Sequence, residues 1–418
     1  MACHQQTDVI LASRRDVIHL LRDTMLAGLL PEDELCLLLA RGQLLPGERA
    51  RVLQVLAGPL NWAQILKRAD DHQVLPLLYR SLMKLEFHGV PSEVRTRLTA
   101  EFRQNAIRNM LFVAELAREM TLLGEAGIRV IPLKGVTLAE ALYGDPACRI
   151  CSDIDILVPA ADALRARNLI LNDGYVSPFT EDFFAHHQFH TSADCPMKAQ
   201  RGEIPYFMEL HWTLLQHSSH DAEAMQDIWA EARPRNFFGV EAYSLTPEWE
   251  FLYLACHASN HKWHTLKWIA DIHDLCASIS IDWESVRSKA ARFDLEFVAE
   301  STLAVCSRLY GTPLPASYSN ARLPPDVQLY PHSLDPSEAW DAPLFYGRLL
   351  KRPTEKLRWF AEMFFVARQS DQMAFHLPAS LDFLYFVLRP LRLTAKWSGL
   401  FLSAGFHKLR QLFSTSPK

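Results

Sequence analysis

The 418-residue chain has no uninterrupted run of about 18 apolar residues, so no membrane-spanning helix is expected. It has no strong excess of either charge: 43 Lys and Arg stand against 48 Asp and Glu, a net charge of −5. That balance argues against a sequence-independent nucleic-acid binder, because phosphate neutralisation needs a broad basic footprint. Nucleic acid is therefore not an expected partner. Of eight cysteines only Cys148 and Cys151 form a C-x-x-C, and no second pair completes a zinc site. An apolar N-terminal stretch of signal-peptide type is missing too. The scattered cysteines read as reduced, buried thiols of a cytoplasmic protein. There is no internal repeat and no low-complexity tract. What is present is ordinary globular composition, 49% hydrophobic and 22% charged. Such a chain can bury a sizeable core without disulfide or metal staples.

Periodicity divides the chain into four regions. Residues 1–127 read as helical. Segment 15–27 carries Val17, Ile18, Leu20, Leu21 and Met25 at helical spacing. Asn61 is a good N-cap for a helix over 61–72, and a second helix spans 74–85. A long helix is expected from Ser92, as N-cap, to Gly127 as the closing glycine. Residues 128–246 change character. The stretch 128–133 reads as a strand, Gly135 opens a helix to Tyr143, and 153–158 reads as a buried strand. A helix over 160–172 and strand candidates at 188–193 and 204–211 follow. This order predicts an α+β fold: a small mixed sheet flanked by helical regions. Residues 247–340 are expected to be helical with a proline-rich connector, and 341–418 helical again.

Three local features carry chemistry. Asp153 and Asp155 alternate along a strand, so both carboxylates share one face among apolar neighbours. Two buried carboxylates repel, and a divalent cation removes that cost; hard oxygen ligands suit Mg²⁺, with Mn²⁺ as the close substitute. The plain alternative is a strand start with solvated aspartates. Lys134-Gly135 sits where a strand runs into a helix, whose free N–H groups suit a phosphate that glycine lets approach. Glu209 and His211 share a face of the strand 204–211, and Glu209 would complete a three-carboxylate cluster if the strands are neighbours. His211 is then a candidate general base or indirect support for the cation. Arg149, four residues before Asp153, can bind phosphate bidentately.

The ordered set resembles a bacterial family of uncharacterised nucleotidyltransferases, a branch of the DNA polymerase beta-like nucleotidyltransferase superfamily. The residues that carry the likeness are Lys134-Gly135, Leu142-Tyr143-Gly144-Asp145-Pro146, Arg149, Ser152-Asp153-Ile154-Asp155 and Glu209-Leu210-His211-Trp212. Further matches are Leu75-Pro76-Leu77-Leu78-Tyr79, His257 to Trp263, Leu266 to Ile272 and Leu388-Arg389-Pro390-Leu391-Arg392. The resemblance implies that Asp153, Asp155 and Glu209 hold the metal. It also implies that Lys134, Gly135, Arg149, Ser152 and Lys267 bind the nucleotide of an NTP such as ATP. Asp271 would partner Lys267. The nucleoside monophosphate would pass to a hydroxyl or phosphate of a small-molecule, sugar or peptide acceptor. One departure stands out: the superfamily's turn is Gly-Ser or Gly-Gly, whereas here it is Lys134-Gly135-Val136, with a longer gap to Asp153. A nucleotide-sugar donor, or a catalytically silent binding module, remain alternatives at this level.

Two other features have plainer readings. His257, His261 and His264 recur at helical spacing, but no Glu follows His257, so H-E-x-x-H is absent. Residues 383–418 contain no acid but carry Arg389, Arg392, Lys396, Lys408, Arg410 and Lys418 among aromatics. This basic stretch is either a packed helix with a frayed end or a peripheral contact with an anionic membrane surface.

Overall fold

The computed structural model describes residues 28–44, 47–189, 192–215, 221–324, 327, 329–331, 353–367, 369–375, 377 and 379–396. The helix expected at 15–27, His190, and the stretches 332–352 and 397–418 lie outside them. Two compact units form, one from 1–178 with 195–349 and the other from 179–194 with 350–418.

The first unit opens with α1 (Pro31–Leu39), α2 (Glu48–Leu56), α3 (Trp62–Asp71) and α4 (Leu75–Lys84). Asn61 caps α3 by accepting from the Gln64 N–H at 3.2 Å, and Ile65, Leu66 and Ala69 form its buried face. Helix α5 (Ser92–Glu125) is 34 residues long, about 50 Å at 1.5 Å per residue. Its N-cap is Pro91 rather than Ser92, with no side-chain cap bond. Proline's fixed φ shapes the entry there, and Ser92 becomes the first helical residue. Gly127, at φ +72°, ends the helix as expected.

Strand β1 (Ile131–Leu133), helix α6 (Gly135–Tyr143), strand β2 (Ile154–Leu157) and helix α7 (Ala163–Asn172) follow. Strands β3 (Asp194–Arg201) and β4 (Ile204–His211) complete a four-stranded sheet in the order β1-β2-β4-β3. β1 is shorter than 128–133 because it pairs only with residues 155–157 of a four-residue neighbour. Among the described residues of 188–193, where a strand is expected, none is in a strand. Thr180 caps a helical turn by accepting from the Phe183 N–H, helix continues through 184–188, and β3 starts only at Asp194. β1 and β2 are antiparallel, whereas β2 and β4 are parallel. The mixed α+β fold is thus the one the periodicity predicts.

Helix α8 (Asp221–Glu231) leads to a ribbon of β5 (Arg233–Phe237) and β6 (Val240–Ser244). The ribbon was not evident from alternation, since four of five β5 residues are exposed. Its Tyr243 N–H donates to the Val130 carbonyl at 2.8 Å, tying it to the segment before β1. Then come α9 (Pro247–Asn260), α10 (Leu266–Ser278), α11 (Trp283–Arg292) and α12 (Glu296–Tyr310). The fully buried Trp263 links this bundle through Nε1–H to Thr302 Oγ1 at 3.0 Å.

In the second unit, α13 (Pro353–Phe365) and α14 (Gln369–Phe375) precede helical residues 385–396. Buried Asp371 is held by both Arg389 and Arg392, the latter at 2.6 Å, and Arg389 also donates to the Met363 carbonyl at 2.8 Å. Two of the six basic residues of 383–418 are therefore internal ion-pair partners rather than free surface cations. Lys408, Arg410 and Lys418 lie outside the described residues. No described helix is long and apolar enough to cross a membrane.

Candidate active site

The sheet register builds the site. Asp155 on β2 lies opposite Glu209 on the parallel β4, and Leu157 lies opposite His211. Residues in register on parallel neighbours present side chains to the same face, and Glu209 and His211 share it by alternation. The ligand atoms of Asp155, Glu209 and His211 consequently lie within 4.8 Å of one another. His211 Nε2 stands 3.2 Å from Asp155 Oδ1 and 3.5 Å from Glu209 Oε2. Asp155 is buried and Glu209 is 39% exposed, so the group opens toward solvent on the Glu209 side.

The other edge of the site comes from the strand-to-helix turn. Leu133 pairs with Asp155 across β1 and β2. The next residue, Lys134, therefore reaches Asp155, with Nζ 3.3 Å from Oδ2. Lys134 adopts φ 38° and ψ −137°, and Gly135 follows at φ +55°. Such a conformation in a non-glycine residue costs on the order of 1–3 kcal/mol and persists where the surroundings enforce it. Gly135 is required for its φ, because an added Cβ would meet only the Asp153 carbonyl at 3.9 Å. Burial pushes the Asp155 carboxyl up, but Lys134 and the His211 hydrogen bond outweigh it and hold it well below the usual carboxylate range.

The loop between α6 and β2 is clamped from α5. Buried Asn105 and Asn109 sit one turn apart. Asn105 Nδ2 donates to the carbonyls of Ala147 (2.8 Å) and Arg149 (3.1 Å). Asn109 Nδ2 donates to those of Pro146 and Arg149, both at 2.7 Å. Arg80 adds a bond to the Tyr143 carbonyl at 2.7 Å. Two asparagines four residues apart on an otherwise apolar helix face are the sequence signal for this clamp.

The remaining residues singled out from sequence fall in three places. Asp153 is half-buried just ahead of β2 and is not among the three converging ligand groups; Ser152 beside it is exposed. Arg149 is buried, with Nε donating to Asp271 Oδ2 at 2.9 Å, and Tyr143 donates its hydroxyl to Asp271 Oδ1 at 3.1 Å. Asp271 thus hydrogen-bonds Arg149 and Tyr143 rather than Lys267, four residues earlier on its helix. Lys267 donates to Gln73 Oε1 and to the Ile150 carbonyl, the latter at 3.4 Å. Burial and then Arg149 bring its ammonium down to about 8. His257, His261 and His264 surround Trp268, with His261 stacked on it at 4.6 Å. They form a packed aromatic group and no metal cluster among the described residues.

Asp155, Glu209 and His211 are a donor set of the kind that could hold a metal ion, and the strand-to-helix turn at Lys134-Gly135 lies beside it. Residues 58–311, more than half of the chain, match the family described as "Uncharacterised nucleotidyltransferase". The chain belongs to that family, and its class of activity is nucleotidyl transfer. Among solved structures it is similar to an antigenic nucleotidyltransferase-like protein from Paracoccidioides brasiliensis. The identity is 14%, the match covers 50% of this chain and 93% of that one, and the TM-score is 0.33. No curated protein matches.

Proposed function

We propose that the protein is a Mg²⁺- or Mn²⁺-dependent nucleotidyltransferase that moves a nucleoside monophosphate from an NTP to a small-molecule, sugar or peptide acceptor. The observation that carries this reading is the convergence of Asp155, Glu209 and His211 within 4.8 Å at the foot of the Lys134-Gly135 turn. The donor set fits a divalent cation: two carboxylates suit Mg²⁺, and the imidazole extends the set to Mn²⁺. Asp153, two residues before Asp155, would add a further carboxylate, as the resemblance implies. A bound cation supplies charge neutralisation at the transferring phosphoryl group.

The chain's own residues do the rest. The free N–H groups at the start of α6 receive phosphate, and Gly135 lets it approach. Lys134 gains a second anionic partner when a triphosphate binds beside Asp155. The acceptor oxygen attacks the α-phosphorus, the bond to the β-phosphate oxygen breaks, and pyrophosphate leaves. Glu209, partly open to solvent, takes the acceptor's proton. Arg149, Lys267 and Asp271 hold the loop and helix that border the nucleotide. The seven described cysteines are all free thiols, in keeping with a reducing, cytoplasmic setting.

The test uses γ-labelled NTPs with Mg²⁺ or Mn²⁺ and a panel of acceptors. Metal-dependent release of pyrophosphate that disappears in Asp155→Asn and falls in Asp153→Ala is expected. Release that survives Asp155→Asn undiminished removes the site.

A further inference from the structure

Helix 385–396 of the second unit is turned inside out. Its inner face carries Tyr385, Arg389 and Arg392, at positions i, i+4 and i+7. Tyr385 and Arg389 are buried, and both arginines converge on buried Asp371. The outer face carries Phe386, Val387 and Leu391. With Phe383, just before the helix, these side chains are 60–64% exposed. The Phe386 ring meets that of Phe365, the last residue of α13, at 6.5 Å. Phe365 and Leu357 of α13 are exposed as well. Single apolar side chains in solvent are ordinary. A helix facing water, however, turns its charged side outward and its apolar stripe inward. This one does the reverse, so its outer face suits an apolar surrounding.

Charge selects that surrounding. Residues 350–418 hold 11 Lys and Arg against 4 Asp and Glu, a net +7, whereas residues 1–349 hold 32 against 44, a net −12. The Asp371 group takes up two of those arginines and one of those acids, so most of the excess lies elsewhere in the segment. Lys396, at the end of the exposed face, is exposed itself, and residues 383–418 contain no acid. Like charge opposes a second copy of this region on the patch. An anionic lipid surface answers both features: its acyl boundary takes the apolar side chains and its headgroups take the cations. No described helix can cross a bilayer, so the contact is with one leaflet. We propose that the second unit is a peripheral membrane anchor. Leu357, Phe365, Phe383, Phe386, Val387 and Leu391 enter the headgroup boundary of an anionic membrane, and the basic residues of 350–418 hold them there. The lipid contact is independent of the transferase chemistry.

The test mixes the full-length protein with extruded vesicles and reads bound protein by co-sedimentation. One set is phosphatidylcholine alone; the other carries about a quarter phosphatidylglycerol, in about 0.1 M NaCl. Binding about tenfold tighter to the anionic vesicles is expected, with most of that preference lost at about 0.5 M NaCl. The double variant Phe386→Ser with Leu391→Ser should weaken binding about tenfold or more. Lys396→Glu should weaken it about fivefold. Ile107→Ser with Met110→Ser, which alters exposed apolar residues of α5 in the first unit, should bind as the unsubstituted protein does. All these positions are exposed, so melting temperatures should hold. Equal binding to both vesicle sets, binding to neither, or undiminished binding in the double variant or in Lys396→Glu overturns the proposal. A vesicle-free dimer in sedimentation velocity that the double variant returns to monomer assigns the patch to a second copy and overturns it too.

Discussion

Two clusters of buried charge stand in the first unit, and they are built differently. The one between α5, the end of α7 and β3 is closed by two arginines against three carboxylates. Arg118 pairs with Glu115 and Glu119, both at 2.6 Å, and Arg201 pairs with Asp173 at 2.7 Å. Tyr175 donates to Glu115 at 2.8 Å. The other, at Asp155 and Glu209, has a single ammonium, Lys134, and one imidazole. Arginines supply planar, multiply bonded closure to the first cluster. The second keeps acids converging on a gap that opens to solvent. The contrast is in closure: arginine forks tie the first cluster's carboxylates together, whereas Glu209 in the second is 39% exposed.

The strongest break of that comparison is Asp155→Asn. Transfer should fall by about a thousandfold or more, because the substituted amide cannot carry the charge the centre needs. Steady-state kinetics with labelled NTP reads this. Glu209→Gln and His211→Ala should each weaken cation affinity by about 10–100-fold, read as the Mn²⁺ concentration needed for half-maximal rate. Asn109→Ala removes one buried and one part-buried bond to loop carbonyls and should cost about 1–3 kcal/mol in urea unfolding, with reduced transfer as the loop before β2 loosens.

The smallest effect sharpens the closed cluster. Burial, partly offset by Arg118, raises Glu119 to about 7 from 4.5. Between those values the folded chain holds a proton that the unfolded chain has lost. Stability contributed by this group is therefore present below about pH 4.5 and declines as pH rises to about 7. Glu119→Gln should flatten that part of the stability profile by about 1–3 kcal/mol and leave transfer intact. A profile identical to that of the unsubstituted protein contradicts the assignment.

Much of the site could be read from sequence because it rests on alternation. Asp155, Glu209 and His211 follow from parity within strands, and the Lys134-Gly135 turn follows from a strand meeting a helix. Parity does not give register. Only the pairing of Leu133, Asp155 and Glu209 shows that Lys134 reaches Asp155 and that His211 joins the ligand group while Asp153 falls before the strand. Arg149 and Asp271 are 122 residues apart. Such a contact depends on how α10 packs on α6, which no local pattern encodes.

Calorimetric titration with Mn²⁺ tests the central claim most directly. Binding should be present in the unsubstituted protein, weaken at least 100-fold in Asp155→Asn, and remain unchanged in Glu119→Gln. Equal binding by Asp155→Asn and the unsubstituted protein would contradict the account.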